Sequence, residues 1–136
     1  MFFTDVIALS APSEPVVVDL TAECSSFLRR VGAVEGLLNV FCPHATAGIA
    51  VIETGAGSDD DLLAAIGELL PADDRWRHRH GSRGHGRDHV VPGFVAPHAT
   101  LPVVAGAVAL GTWQSIVFVD TNVDNLERSV RLSFQG

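Results

Sequence analysis

Thirteen consecutive residues, RHRHGSRGHGRDH from Arg77 to His89, hold four histidines, four arginines and three glycines. Imidazole changes charge near neutral pH and is the commonest metal ligand, while guanidinium is a planar fork for phosphate or carboxylate. His78 and His80 are two apart, so they point the same way if the chain is extended there. His85 and His89 are four apart and share a face only in a helix, which Gly81, Gly84 and Gly86 argue against. By spacing alone, any two of the four could ligate a metal. The plainer reading is a solvated loop.

Two other stretches carry candidate chemistry. In CPHATAGIAVIE, His44 follows Pro43 at a strand end, Thr46 offers a hydroxyl and Glu53 closes the next strand. Strand ends opening onto loops are ordinary places for catalytic groups, although a lone histidine there is more often structural. In GTWQ, Trp113 follows a glycine that can mark close backbone approach, and Gln114 enters an apolar strand where a buried amide needs partners. Arg128, near the last strand, is a further anion fork or one half of a surface ion pair.

The composition bounds what these groups can serve. The chain has 136 residues, is 47% hydrophobic and carries a net charge of −7. Arg75 to His89 holds five arginines against one aspartate, +4, which leaves −11 for the rest. Such a surface does not suit wrapping nucleic acid, whose affinity rests on neutralising phosphates. A small anionic or phosphorylated ligand is the better match. Cys24 and Cys42 form no ligand motif, MFFTDVIALS has no basic leader, and no apolar run reaches the about 20 residues of a membrane span. The expected setting is a soluble cytoplasmic protein with no membrane partner.

Elements that would position the candidates follow from periodicity. FTDVIAL, VVVDL, GLLNVFC, GIAVIE, SIVFVDT and SVRLSF read as strands, and TLPVVAGAVAL as two strands around a turn at Ala105-Gly106. Thr21 is expected to cap a helix running to about Val31, with Gly32 beyond its end. Ser58 is expected to cap a second, with Asp59, Asp60 and Asp61 complementing the helix dipole and Leu62, Leu63, Ile66, Leu69 and Leu70 as its apolar stripe. The histidine stretch, lacking any apolar period, is expected to be loop. Residues 1–136 thus predict one α+β domain of seven or eight mostly antiparallel strands and two main helices.

HATAGIAVIE, WRHRHGSRGHGRDHVV, LPVVAGAVALGTWQSIVFVD and the closing arginine, in this order and spacing, resemble the YjbQ family, also called the secondary thiamine-phosphate synthase family. The resemblance runs from about residue 36 to the C-terminus, more loosely before it. It implies that His44, His78 and His89 converge as ligands of zinc or another divalent ion, leaving His80, His85 and His98 as extras of this chain. It implies a catalytic role for His44, and makes Glu53 a general base or a support for a ligand. Arg128 and Thr46, with Gln114 and Trp113, would hold phosphate or another anion. A homotrimer is implied as well, and a reaction joining an aminopyrimidine diphosphate to a thiazole phosphate with release of pyrophosphate.

Three departures bear on substrate. Arg79 stands where the family has aspartate, Ile52 where it has asparagine, and Val91 where it has lysine. Losing an acid and gaining arginines reverses the field beside the metal. Two readings follow: a metal-dependent enzyme for small phosphorylated metabolites, of which thiamine-phosphate synthase is the named candidate, or a non-catalytic metal- and anion-binding module of the same fold.

Overall fold

A computed structural model describes residues 1–136. In chain order the elements are β1 (Phe2–Ser10), β2 (Val16–Asp19), α1 (Thr21–Arg30), β3 (Gly36–Phe41), β4 (Ala47–Ile52), α2 (Ser58–Leu69), α3 (His85–Asp88), a 3-10 turn (Val91–Gly93), β5 (His98–Val104), β6 (Ala107–Val108), β7 (Ser115–Asp120) and β8 (Glu127–Gln135). This is an α+β fold of eight strands, all paired antiparallel, in two sheets.

The larger sheet has the order β1-β8-β3-β5-β6 and the smaller β2-β7-β4. Along β8 the inward residues Arg128, Val130, Leu132 and Phe134 are buried and the alternate ones are not, as period-two patterning requires. β7 breaks that rule because it is buried on both faces. Its Ile116 and Phe118 join α1, β3 and β8 in the main core, while Val117 and Val119 pack with Ile66, Leu70 and Val91. Continuous apolar SIVFV is what a strand sandwiched between two layers needs. The polar residues at its far end, Asp120 to Asn122, are therefore delivered into a closed interior.

Some local expectations change. The cap of α1 is Leu20, and the Thr21 hydroxyl instead accepts a hydrogen bond from Ile116 N–H at 3.0 Å. α2 starts at Ser58 behind Gly57, whose φ of +96° no side chain favours, so the helix is entered by a glycine turn without a side-chain cap. The histidine stretch is not wholly loop, since α3 occupies its last third. No helix is long and apolar enough to cross a membrane.

Candidate metal centre

α3 explains how the histidines meet. Gly84, at φ +86°, turns the chain into it, and Gly86 lies so close to the preceding loop that a Cβ would overlap the His78 carbonyl and sit 2.7 Å from Trp76 Cβ. The glycines that argued against a helix are thus its entry and its contact face. One helical turn puts His85 and His89 side by side, Nε2 to Nε2 at 3.0 Å. The extended segment before it brings His78 Nε2 within 2.6 Å of His80 Nε2. One nitrogen each from His78, His80 and His85 lie within 4.8 Å of one another, and the His89 ring stacks on His78 at 4.1 Å.

A carboxylate stands behind the group. Asp124 accepts from His85 Nδ1 at 2.8 Å, from the Ser82 hydroxyl at 3.0 Å and from Ser82 N–H at 3.2 Å. Burial works to raise the Asp124 carboxyl, but these donors outweigh it and hold it below its usual value. An ionised Asp124 fixes the proton of His85 on Nδ1 and turns the Nε2 lone pair toward the other rings. Burial, then the neighbouring rings His80 and His85, lower the pKa of His78; His89 is lowered likewise, by burial first and His78 next. Both shifts favour the neutral ring, the form in which imidazole ligates metals.

A buried polar network ties this cluster to the sheets. Asp88, 2% exposed, accepts from Arg87 Nε at 2.7 Å, Thr121 Oγ1 at 2.7 Å and Asn122 Nδ2 at 3.1 Å. Arg87 also donates to the Leu70 carbonyl at 2.9 Å, closing α3 onto the end of α2. Near the end of β7, Asp120 accepts from Arg128 Nε at 2.8 Å and NH2 at 3.0 Å, and Arg128 donates to Thr46 Oγ1 at 2.8 Å. Asp88, Asp120, Thr121, Asn122 and Asp124 are the residues that sequence reasoning missed. The signal for the last four was a polar run, DTNVDN, directly after four buried strand residues, Ile116 to Val119; Asp88 had none.

The other candidates fall elsewhere. His44 does not join His78 and His89 in this chain: Ser129 N–H donates to its Nε2 at 2.9 Å, and it lines a separate cavity with Ser10, Glu127 and Arg128. The Ser129 carbonyl lies 3.2 Å from the same nitrogen, so the β8 backbone engages Nε2 and leaves Nδ1 as the nitrogen His44 could offer a ligand. Thr46 and Arg128 are brought together, but Asp120 already supplies their negative charge. Glu53 follows the end of β4 that pairs with Ser115, whereas Thr46 precedes the end that pairs with Asp120. Six strand residues separate those ends by about 20 Å. Gln114 is exposed and accepts from Gly111 N–H at 2.8 Å, closing its own turn, and Trp113 is 73% exposed. Neither is buried, because the chain is still in a loop until Ser115.

Burial, and next the charge of Arg128, lower the pKa of His44. The folded value lies below the unfolded 6.5, so the unfolded chain takes up the proton first. Stability from this group is full above 6.5 and is lost as pH falls toward the folded value. Thermal melts of metal-free protein from pH 7 to 5 should therefore fall less steeply for His44→Asn than for the wild type. Parallel curves would refute the assignment.

Comparison with known proteins agrees with the fold and the family resemblance. The family model described as UPF0047 protein YjbQ-like matches residues 5–136. A UPF0047 protein of Mycobacterium tuberculosis (strain H37Rv) is 57% identical over 131 residues, 96% of each chain. UPF0047 protein YugU of Bacillus subtilis is 34% identical over 109 residues, 76% of this chain and 78% of its own. Among solved structures, a YbjQ-like protein of unknown function from Sulfolobus solfataricus superposes with a TM-score of 0.93 at 26% identity, covering 100% of this chain and 98% of that one. A hypothetical protein from Aeropyrum pernix gives 0.89 at 32%, covering 98% of both. With a family model spanning nearly its whole length, the chain belongs to the YjbQ (UPF0047) family.

Proposed function

We propose that this protein is a metal-dependent enzyme acting on small phosphorylated metabolites, its metal held by His78, His80 and His85. One observation carries the reading: three imidazoles converge with no carboxylate or thiolate among them, and Asp124 orients one from behind. Facing ring nitrogens at 2.6 and 3.0 Å repel one another unless a proton or a cation lies between. A tetrahedral ion with nitrogens at about 2.0–2.1 Å would hold its ligands about 3.4 Å apart, so His78 and His80 would open from their hydrogen-bonded 2.6 Å to bind one. An all-imidazole set suits zinc and its transition-metal neighbours over magnesium or calcium.

Three ligands leave a coordination position open, and a divalent ion there would polarise a phosphoryl oxygen and acidify bound water. His89 Nε2, beside His85 and held neutral, is the base that would take the proton. Glu53 has no part in this step. Thiamine-phosphate synthesis, the reaction the resemblance implies, needs two sizeable substrates. The cavity at the histidines is about 220 Å³, smaller than the about 300–1,000 Å³ of sites for drug-sized ligands. A smaller phosphoester fits better.

Zinc-loaded protein should release phosphate from some member of a panel of small phosphoesters, with turnover down at least a hundredfold in His85→Ala and unchanged in Glu53→Gln. The second reading, a binding module, is favoured by the remoteness of Glu53. It takes over if fully loaded protein turns over nothing on the panel, the two-substrate condensation included. Self-association as a homotrimer is part of the proposal. Phe2, Val6, Leu37 and Phe41, exposed on the outer face of the larger sheet, support it.

A further inference from the structure

The histidine stretch carries more positive charge than its own contacts use. Arg75 is spent on Asp73, which it grips through Nε and NH2 at 2.8–3.1 Å. Arg87 is buried on Asp88 and the Leu70 carbonyl. Arg79 and Arg83 make no ion pair. The Arg79 Nε donates to the Trp76 carbonyl at 2.9 Å, which leaves both terminal nitrogens of its exposed guanidinium free. Both arginines line the cavity of about 220 Å³ whose other wall is His78, His80 and His85. The carboxylates on that lining are Asp73, already paired, and Asp74. Two free guanidinium groups thus oppose one free carboxylate, before any metal adds its charge.

We propose that Arg79 and Arg83 form an anion clamp across the histidine cluster, so that the site takes a compact dianion of the phosphate-monoester class. Guanidinium matches phosphate oxygens with paired N–H donors, and a dianion answers two such forks at once where a monocarboxylate answers one. Gly81, at φ +74°, bends the loop between the two arginines, so that residues four apart in an irregular segment face one space. The cavity's size admits a phosphoryl group on a short carbon chain. This deepens the metal reading and rests on it only for the ligand's further contact with the ion.

The test is calorimetric titration of inorganic phosphate into zinc-loaded and chelator-stripped protein, beside R79Q/R83Q, with zinc content measured in every sample. The double variant should keep its zinc and its melting temperature while phosphate affinity falls at least tenfold. Acetate should bind the wild type at least tenfold more weakly than phosphate does. Phosphate affinity within twofold of wild type in R79Q/R83Q overturns the clamp, as does equal affinity for acetate. If the wild type takes up no zinc, the metal reading fails alone. The stripped protein then decides, with a loss in the double variant upholding the clamp and an unchanged affinity ending it.

Discussion

Asp120→Ala should cost about 3–5 kcal/mol of stability, the range for removing one partner of a buried ion pair. For a domain of 136 residues this corresponds to a melting temperature about 10–20 °C lower. The two side chains are 1% and 2% exposed, so water cannot reach Arg128 to replace the lost carboxylate. The same carboxylate also accepts from Asn122 N–H at 2.9 Å, so the bend that follows β7 loses its anchor. The double variant Asp120→Leu with Arg128→Leu should cost less than Asp120→Ala alone, because it leaves no buried charge behind. Thermal melts by circular dichroism measure both. A loss under about 1 kcal/mol in Asp120→Ala would show that Arg128 is not held as described.

The network makes a second demand on that experiment. Asp120 is followed directly by Thr121 and Asn122, which bind Asp88, and Asp88 seats the helical turn that carries His85. Loosening the end of β7 should therefore reach the histidines as well as the core. A folded Asp120→Asn variant, keeping shape and one oxygen acceptor, should weaken metal binding. An unaltered metal affinity would show that the two clusters are independent.

Much of this frame was legible in the sequence, and what was not has identifiable causes. Alternation along SVRLSF and unbroken apolarity along SIVFV announce β8 and β7, because pleat and layering impose those patterns directly. Two-residue spacing foretells that His78 and His80 point together. α3 escapes because Gly84 and Gly86 are read as helix breakers. Their neighbours in space, Ala72 for one and the His78 carbonyl for the other, require them, and helix propensity along the chain does not show those contacts. The polar network is hidden for a like reason: its bonds span 8, 33, 34 and 82 residues. His44 is the sharpest case. Its motif and strand-end position are visible, but which atom occupies its ring nitrogen depends on β8, eighty-five residues away. Placing Glu53 needed the register of β4 on β7, which no pattern within β4 encodes.

Which histidines hold the ion separates the geometry from the resemblance. Protein dialysed against zinc should retain about one ion per chain by mass spectrometry, and His80→Ala or His85→Ala should each abolish that retention. His44→Ala should keep it, since its ring lines a separate cavity with Ser10, Glu127 and Arg128. The sharper variant is Asp124→Asn, which touches no metal yet removes the charge that orients His85. Loss of such a support costs about 10–100-fold in affinity, so the ion should stay at saturating zinc and leave at limiting zinc. Metal that binds only the folded state also stabilises it, by about 2.7 kcal/mol at a hundredfold excess over Kd. Added zinc should accordingly raise the melting temperature of the wild type and His44→Ala, and leave that of His85→Ala unmoved. Retention in His80→Ala together with loss in His44→Ala would reverse the assignment. The ion would then belong to the ligand set that the family resemblance implies, and the His78-His80-His85 convergence would be an arrangement of the isolated chain.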